Sequence, residues 1–239
     1  MTVWDRPEPP APPAPLDRER IVAAAVALAD EGGLEAVSLR KVAARLDVGP
    51  MRLYGYISTK EELFDLMVDE VHAEILPEVL PGERAGGWRE ALRDRAHRTR
   101  RAVHRHEWLA DLLGGRPALG PNALAVTEST LAALDGLADV DTVLRAVETV
   151  SAYVTGAIRR EVAHLRAERA TGLSDRDWQR ASGPYVVRML ATGRFPALAR
   201  AVHDGTEVDA ETTFATGLEW VLDAVAARLA QGTTNTPGN

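Results

Sequence analysis

Residues 46–63 read LDVGPMRLYGYISTKEEL, and this stretch limits the fold more than any other. Gly49 and Pro50 can open a helix, because proline at the first helical position gives up only an N–H that has no partner there. Ser58 with Glu61, or Thr59 with Glu62, forms a capping box that opens the next helix, LFDLMVDEVHAEI. Six or seven residues of helix remain between the two signals. A helix that short is not stable alone. Neighbours must hold one side of it, which leaves the other side free for a different use.

The preceding residues supply the neighbours. Asp17 is a good N-cap for a helix starting at Arg18, with Leu16 stapled onto Ile21. Val22, Val26 and Leu28 carry this helix to Asp30, and Gly32-Gly33 stops it. Ser38 caps a second helix with an apolar face of Leu39, Val42, Ala43 and Leu46. The turn that follows needs one residue at positive φ, a conformation aspartate tolerates, so Asp47 fits it and Val48 can bury as its plug. Two short helices at a steep angle, crossed by a third, make a helix-turn-helix.

Apolar spacing stays helical through the rest of the chain, and no run of alternating β-branched residues occurs, so the expected class is all-α. Further helices are expected at 88–114, 121–136, 140–168, 174–192 and 208–230. The fourth of these holds Gly183-Pro184 and should kink or split there. Leu92, Ala96, Thr99 and Val103 form a narrow face of small side chains that lets a neighbour approach closely. In the last helix Phe214, Leu218, Val221, Leu222 and Val225 share one broad apolar side, which with much of 140–160 exceeds what one small bundle needs. A homodimer through the helices near 140–168 and 208–230 is the economical home for that surface. Residues 1–15, with six prolines, read as a disordered tail, and residues 231–239 as a frayed end.

Charge and composition exclude several function classes. The net charge is −7, yet between Ser38 and Lys60 the cations Arg40, Lys41, Arg45, Arg52 and Lys60 stand against Asp47 alone, a local +4. Such a face can meet phosphates while the acidic remainder repels them. The seven arginines of 89–105, against Glu90 and Asp94, read as the solvated side of an amphipathic helix. With no cysteine there is no disulfide or thiolate metal site, which fits a reducing cytosol. A signal-peptide pattern is missing from the start, and no 18-residue charge-free apolar stretch occurs, so a cytoplasmic protein with no membrane role is expected. Nucleophile–base spacing, phosphate-cradling glycines and paired carboxylates are all missing, so no catalytic residue is assigned. No cofactor is expected, and without a His-x-x-x-His pair no structural zinc either.

Residues 16–71, from LDRERIVAAAVALADEGG to LFDLMVDEV, resemble the N-terminal DNA-binding domain of the TetR family of bacterial transcriptional regulators. The markers are Glu35 to Arg40, the Leu46-Asp47-Val48 turn, Pro50 through Tyr56, and Lys60. Ser151 to Val154 with Gly156, and Phe214, Gly217-Leu218 and Val221 to Asp223, resemble the C-terminal domain of the tetracycline-repressor branch. Two departures stand out: Asp47 where the family commonly has glycine, and Gly55 where it often has a basic or polar residue. Gly55 costs the short helix about 1 kcal/mol against alanine.

The resemblance implies a tail (1–15), a helix-turn-helix domain (16–62), a helical ligand-binding and dimerisation domain (63–230) and a second tail (231–239). Its third helix would enter the major groove of a double-stranded DNA operator. Arg52 is the best candidate for pairing with guanine, and Met51 for a thymine methyl. Tyr54 and Tyr56 can donate to phosphate, although Tyr54 can equally pack on the first helix beside Leu53 and Ile57. By resemblance Tyr56 and Lys60 are phosphate clamps. Ser38 and Arg40 can reach the opposite strand's backbone, and Gly49 leaves helix-start amides uncovered for a phosphate. His104, Trp108 and Leu112, with Tyr153 and Arg159, are the expected lining of a cavity for a drug-like or aromatic inducer. The expected function is a dimeric repressor that releases a palindromic operator on binding that molecule. The alternatives are an activator or a regulator answering to a protein partner, and, more distantly, an all-helical enzyme.

Overall fold

The computed structural model describes residues 16–76 and 87–232. The expected tail at 1–15, the Pro81-Gly82 loop and residues 233–239 of the second tail lie outside them. Helices α1 (Arg18–Gly32) and α2 (Leu39–Arg45) stand where their caps predict, with Asp17 accepting from the Arg20 amide and Ser38 from the Lys41 amide. Leu16 and Ile21 are both buried, as a staple requires. Asp47 has φ 54°, and the Val48 amide donates to the Ala43 carbonyl across the turn.

The next helix, Pro50–Gly55, numbered α3 by its place in the chain, is wound as a 3-10 helix rather than the α-helix its neighbours imply. Six residues between Gly49 and the next cap allow little else, and short runs suit 3-10 geometry. Helix α4 (Lys60–Ile75) starts at Thr59, whose hydroxyl accepts from the Glu62 amide, while the Glu62 carboxylate accepts from the Ser58 amide. It packs against α1 and against the bundle beyond.

That bundle comprises α5 (Gly87–Arg105), α6 (Leu109–Leu112), α7 (Pro121–Ala132), α8 (Val140–Thr171), α9 (Asp175–Leu190), α10 (Pro196–Asp204) and α11 (Ala210–Gly232). The single helix expected over 88–114 breaks after Arg105, because His106 and Trp108 turn their side chains onto Asp30 of α1. The 174–192 helix is not split: α9 runs through Pro184, where only one ladder bond has to be given up. Helix α10 was not expected at all.

Two expectations about surface are corrected. The apolar stripe of α11 does not await a partner, since Phe214, Leu218, Leu222 and Val225 are all buried within the chain, where α11 packs along α8. Phe214 anchors it, with the His97 ring edge-on at 5.4 Å and the Arg100 guanidinium 5.2 Å from the ring centre. The arginines of α5 are mostly not a solvated face. Arg89 and Arg93 bind Glu219 of α11, Arg100 binds Glu161 of α8 and Glu211 of α11, and Arg105 binds Glu74 of α4. Carboxylates on the neighbouring helices take these charges because α5 lies between them.

Arg93 and Arg89 hold the Glu219 carboxylate at about 2, against an ordinary 4.5. A depressed carboxylate stabilises the fold above its unfolded value and loses that contribution as pH falls toward the folded one. Glu219 keeps more than a third of its side-chain exposure, so solvent screening limits the effect to about 1 kcal/mol. Glu219→Gln should lower urea stability at pH 7 by that amount. The gap should close between pH 4.5 and about 2, and a gap independent of pH would refute the assignment.

Candidate nucleic-acid interface and ligand cavity

Two buried side chains place the reading helix. Leu53 and Ile57 are almost fully buried beneath α3, and this leaves Met51, Arg52, Tyr54 and Tyr56 on its outer side. The choice left open for Tyr54 is thereby resolved: it is 51% exposed and does not join Leu53 in the core. Met51, at 79%, is among the most exposed large apolar residues described, which is where a side chain that meets a base methyl has to be. Arg52 is exposed, and its side chain has no hydrogen bond or ion pair among the described residues. Its own amide is taken by the Gly49 carbonyl, so this turn has one amide fewer to offer a phosphate.

Around this helix the other expected contacts divide. Arg40 and Lys60 are exposed, and Lys60 Nζ lies 5.0 Å from the centre of the Phe64 ring, which steadies it. Ser38 is half-buried, with its hydroxyl engaged in capping α2. Tyr56 keeps 40% exposure, yet its hydroxyl donates to the Leu16 carbonyl at 2.7 Å and so ties α3 to the start of α1. Arg45 leaves the local cation count: it forms a two-pronged pair with Glu31 of α1, which lowers the Glu31 pKa.

A cavity of about 90 Å³ opens between α4, α5, α7 and α8. Its walls are mostly apolar, including Ile75, Leu92, Val126 and Val154, with His72, Arg95, Thr99, Ser151 and Thr155 as the polar exceptions. None of the five residues expected to line a ligand site is on these walls. His104 is half-buried, pairs with Glu161 at 2.7 Å and with Trp108 borders a separate, more open cleft against α1. Trp108 is buried at the junction with α1 and donates to Asp30 at 2.8 Å. Leu112 packs against the core, and exposed Arg159 donates to the Leu113 carbonyl at 3.4 Å. Tyr153 donates to the Phe214 carbonyl at 2.9 Å and so secures α11.

One signal for the cavity was present in the sequence: Arg95 interrupts the Leu92, Ala96, Thr99 stripe of α5, where an arginine is out of place. His72 and Ser151 carried no comparable mark. The surface trio His164, Glu168 and Asp175, gathered at the α8–α9 turn, also went unseen, because helix capping rather than spacing brings it together.

Comparison with known proteins fits this layout. Residues 21–67 match the profile described as bacterial regulatory proteins, tetR family, and residues 80–229 match the tetracyclin repressor-like C-terminal domain. The chain belongs to the TetR family. It is 39% identical over 234 residues to the HTH-type transcriptional repressor DrrR1 of Streptomyces coeruleorubidus, covering 96% of this chain and 85% of that one. Identity to the class D tetracycline repressor protein of Escherichia coli is 30% over 162 residues, 64% of this chain and 70% of that. The structure of ActR from Streptomyces coelicolor in complex with actinorhodin aligns with a TM-score of 0.74 at 29% identity, covering 90% of this chain and 97% of that one. This TetR-family chain is a DNA-binding transcriptional regulator, and its relatives are regulators rather than enzymes. No helix among the described residues is long and apolar enough to cross a membrane.

The role found for Tyr153 can be tested through its neighbour. A Cβ at Gly217 would stand 2.3 Å from the Tyr153 hydroxyl and under 3 Å from the ring, so the tyrosine has to move. Gly217→Ala should therefore cost about 1–3 kcal/mol in urea unfolding through overpacking. Tyr153→Phe should cost about 1 kcal/mol through the lost hydrogen bond. Alanine's helix propensity returns about 1 kcal/mol of the overpacking cost, so a Gly217→Ala variant more stable than the parent would contradict the close approach.

Proposed function

We propose that the chain is a dimeric repressor that grips a palindromic operator through two copies of α3 and lets go when a small molecule enters the cavity. In this reading residues 16–62 read DNA, and residues 63–230 hold the ligand and the second copy. The observation that carries it is the course of α4. This one uninterrupted helix begins at Lys60 beside the reading face and ends with His72 and Ile75 in the cavity wall. Its sixteen residues span roughly 24 Å, so a shift at one end is delivered to the other.

Three side chains make α4 a rigid coupler. Leu63 and Met67 are fully buried and key its first half to the α1 side. Asp69 caps α7, accepting from the Ala123 amide at 2.9 Å and from the Asn122 side chain, which keys the second half to the bundle. The cavity, at about 90 Å³, is well below the 300–1,000 Å³ of typical drug-sized sites. A ligand of that size has to push the walls apart, and α4 is one of them. Linkage then requires DNA and ligand to weaken each other by the same factor. DrrR1 is named as a repressor, and ActR has been solved with actinorhodin, so both halves of this scheme occur among relatives.

With the Phe214 stripe used internally, the second copy is assigned to the opposite sides of α8 and α11, where Leu144 and Trp220 remain exposed, Trp220 at 71%. A bound dimer places its two α3 helices about 34–36 Å apart. The decisive experiment selects a palindromic duplex from a random pool and measures binding by fluorescence anisotropy. Arg52→Ala should weaken the selected duplex about 5- to 150-fold and relax its sequence preference. Lys60→Ala should weaken all duplexes alike and reduce the salt slope by about 1. Unchanged affinity in Arg52→Ala, or a monomer at micromolar concentration by light scattering, would end this proposal.

A further inference from the structure

Arg95 differs from the other arginines of α5. Arg89, Arg93, Arg98, Arg100 and Arg105 each have a carboxylate partner. Arg101 is exposed to solvent. Arg95 alone points its charge into the apolar cavity, on a wall shared with Leu92, Ala96 and Thr99. Its guanidinium makes one hydrogen bond among the described residues, from Nη2 to the Ser151 hydroxyl at 3.1 Å. No carboxylate lines the cavity among those residues. The two nearest in sequence are engaged elsewhere, Asp94 with Arg98 and Glu90 with Arg93. Burial pushes the Arg95 pKa down, with no opposing charge to restore it.

A guanidinium carries five N–H donors, and four of these have no protein acceptor here. A buried charge without its counter-ion is a burden on folding that an apolar side chain of similar length would avoid. The Ser151 hydroxyl is a neutral partner and leaves that burden in place. What the site lacks is one negative charge with two acceptor atoms.

We propose that this cavity selects a monoanionic organic acid, whose carboxylate or equivalent acidic group pairs two-pronged with Arg95. The proposal rests on the ligand-binding reading above and names the chemistry that the ligand has to carry. A planar carboxylate matches the guanidinium fork and gains a charge-assisted pair in a low-dielectric setting. An inorganic phosphate or sulfate fits poorly, because a second negative charge would meet Leu92, Val150 and Val154 and no second cation. The rest of the ligand has to be apolar to suit those walls. His72 stands on the α4 side with Nδ1 2.7 Å from the Val68 carbonyl, an acceptor only, so Nδ1 holds the proton. Its Nε2 has no protein partner among the described residues and is the remaining polar contact on that side. The present opening is smaller than the engineered cavity of about 150 Å³ that benzene fills, so even a one-ring acid has to spread the helices slightly.

The test titrates the full chain with benzoate and with benzamide, its neutral counterpart of nearly equal shape, by ligand-observed NMR. Benzoate should bind at least about tenfold more tightly, as a charge-assisted pair requires. Arg95→Gln and Arg95→Met should bring the two probes within about twofold of each other by weakening benzoate alone. The melting temperature of both variants should hold or rise, since an unpaired charge has been removed. Equal affinity in the wild type, a preference that survives in the variants, or no saturable binding of either probe overturns the inference. So does a melting loss in both variants, which would make Arg95 a structural residue. Operator binding is measured on the same samples to separate the two readings. Sequence-specific binding without acid preference sinks this inference and spares the regulator. Acid preference lost on changing Arg95, in protein that binds no duplex, does the reverse.

Discussion

The structure depends on one polar junction. Asp30 in the last turn of α1 accepts from the Trp108 indole, and the same oxygen lies 2.8 Å from Nδ1 of His106. On its other side His106 Nε2 faces Glu74 of α4 at 3.1 Å. Four side chains thereby join the reading head, the connecting helix and the bundle, with His106 and Trp108 both buried. Removing Asp30 leaves the buried Trp108 indole and the Nδ1 side of His106 without their acceptor, a loss larger than the net worth of the bonds themselves. The apolar packing of Leu63 and Met67 holds α4 close, and this junction adds directional bonds that fix how the three parts face one another.

How much was legible in the sequence follows from the range of the forces involved. The caps at Asp17 and Ser38 act over three residues, so they could be read directly and stand where expected, while of the two boxes open at the next helix the structure uses Thr59 with Glu62. The same holds for Asp47, whose positive φ is set by its own turn. The break after Arg105 was not readable. No glycine or proline marks it, and its cause lies in Asp30 and Glu74, more than thirty residues away. The α11 stripe was seen correctly as apolar but given the wrong neighbour, because amphipathicity says that a face is buried and not what covers it. Helix α10 was missed although Pro196 opens it, Gly205 follows it and its apolar residues share one face, since nine residues fall short of the window over which periodicity separates a helix from a loop.

The candidate site shows the same divide. The reading helix is local, and the sequence named its exposed residues. The cavity is made by four helices at once, so its wall depends on how each is rotated about its axis, and Tyr153 and Trp108 lie off that wall and fasten neighbouring helices. Arg95 shows what a different question would have found: which polar residue sits where an apolar one belongs. Along α5 that question singles out one arginine of seven, the one turned into the cavity with neither a carboxylate nor open solvent to take its charge.

The division of charge has a consequence beyond the single molecule. Arg40, Lys41, Arg52 and Lys60 are exposed at the reading end, while the whole chain carries −7. Charge thus weights the approach to a duplex: long-range attraction acts on the reading end while the acidic balance of the chain is held off, so encounters begin with α3 already turned toward the phosphates.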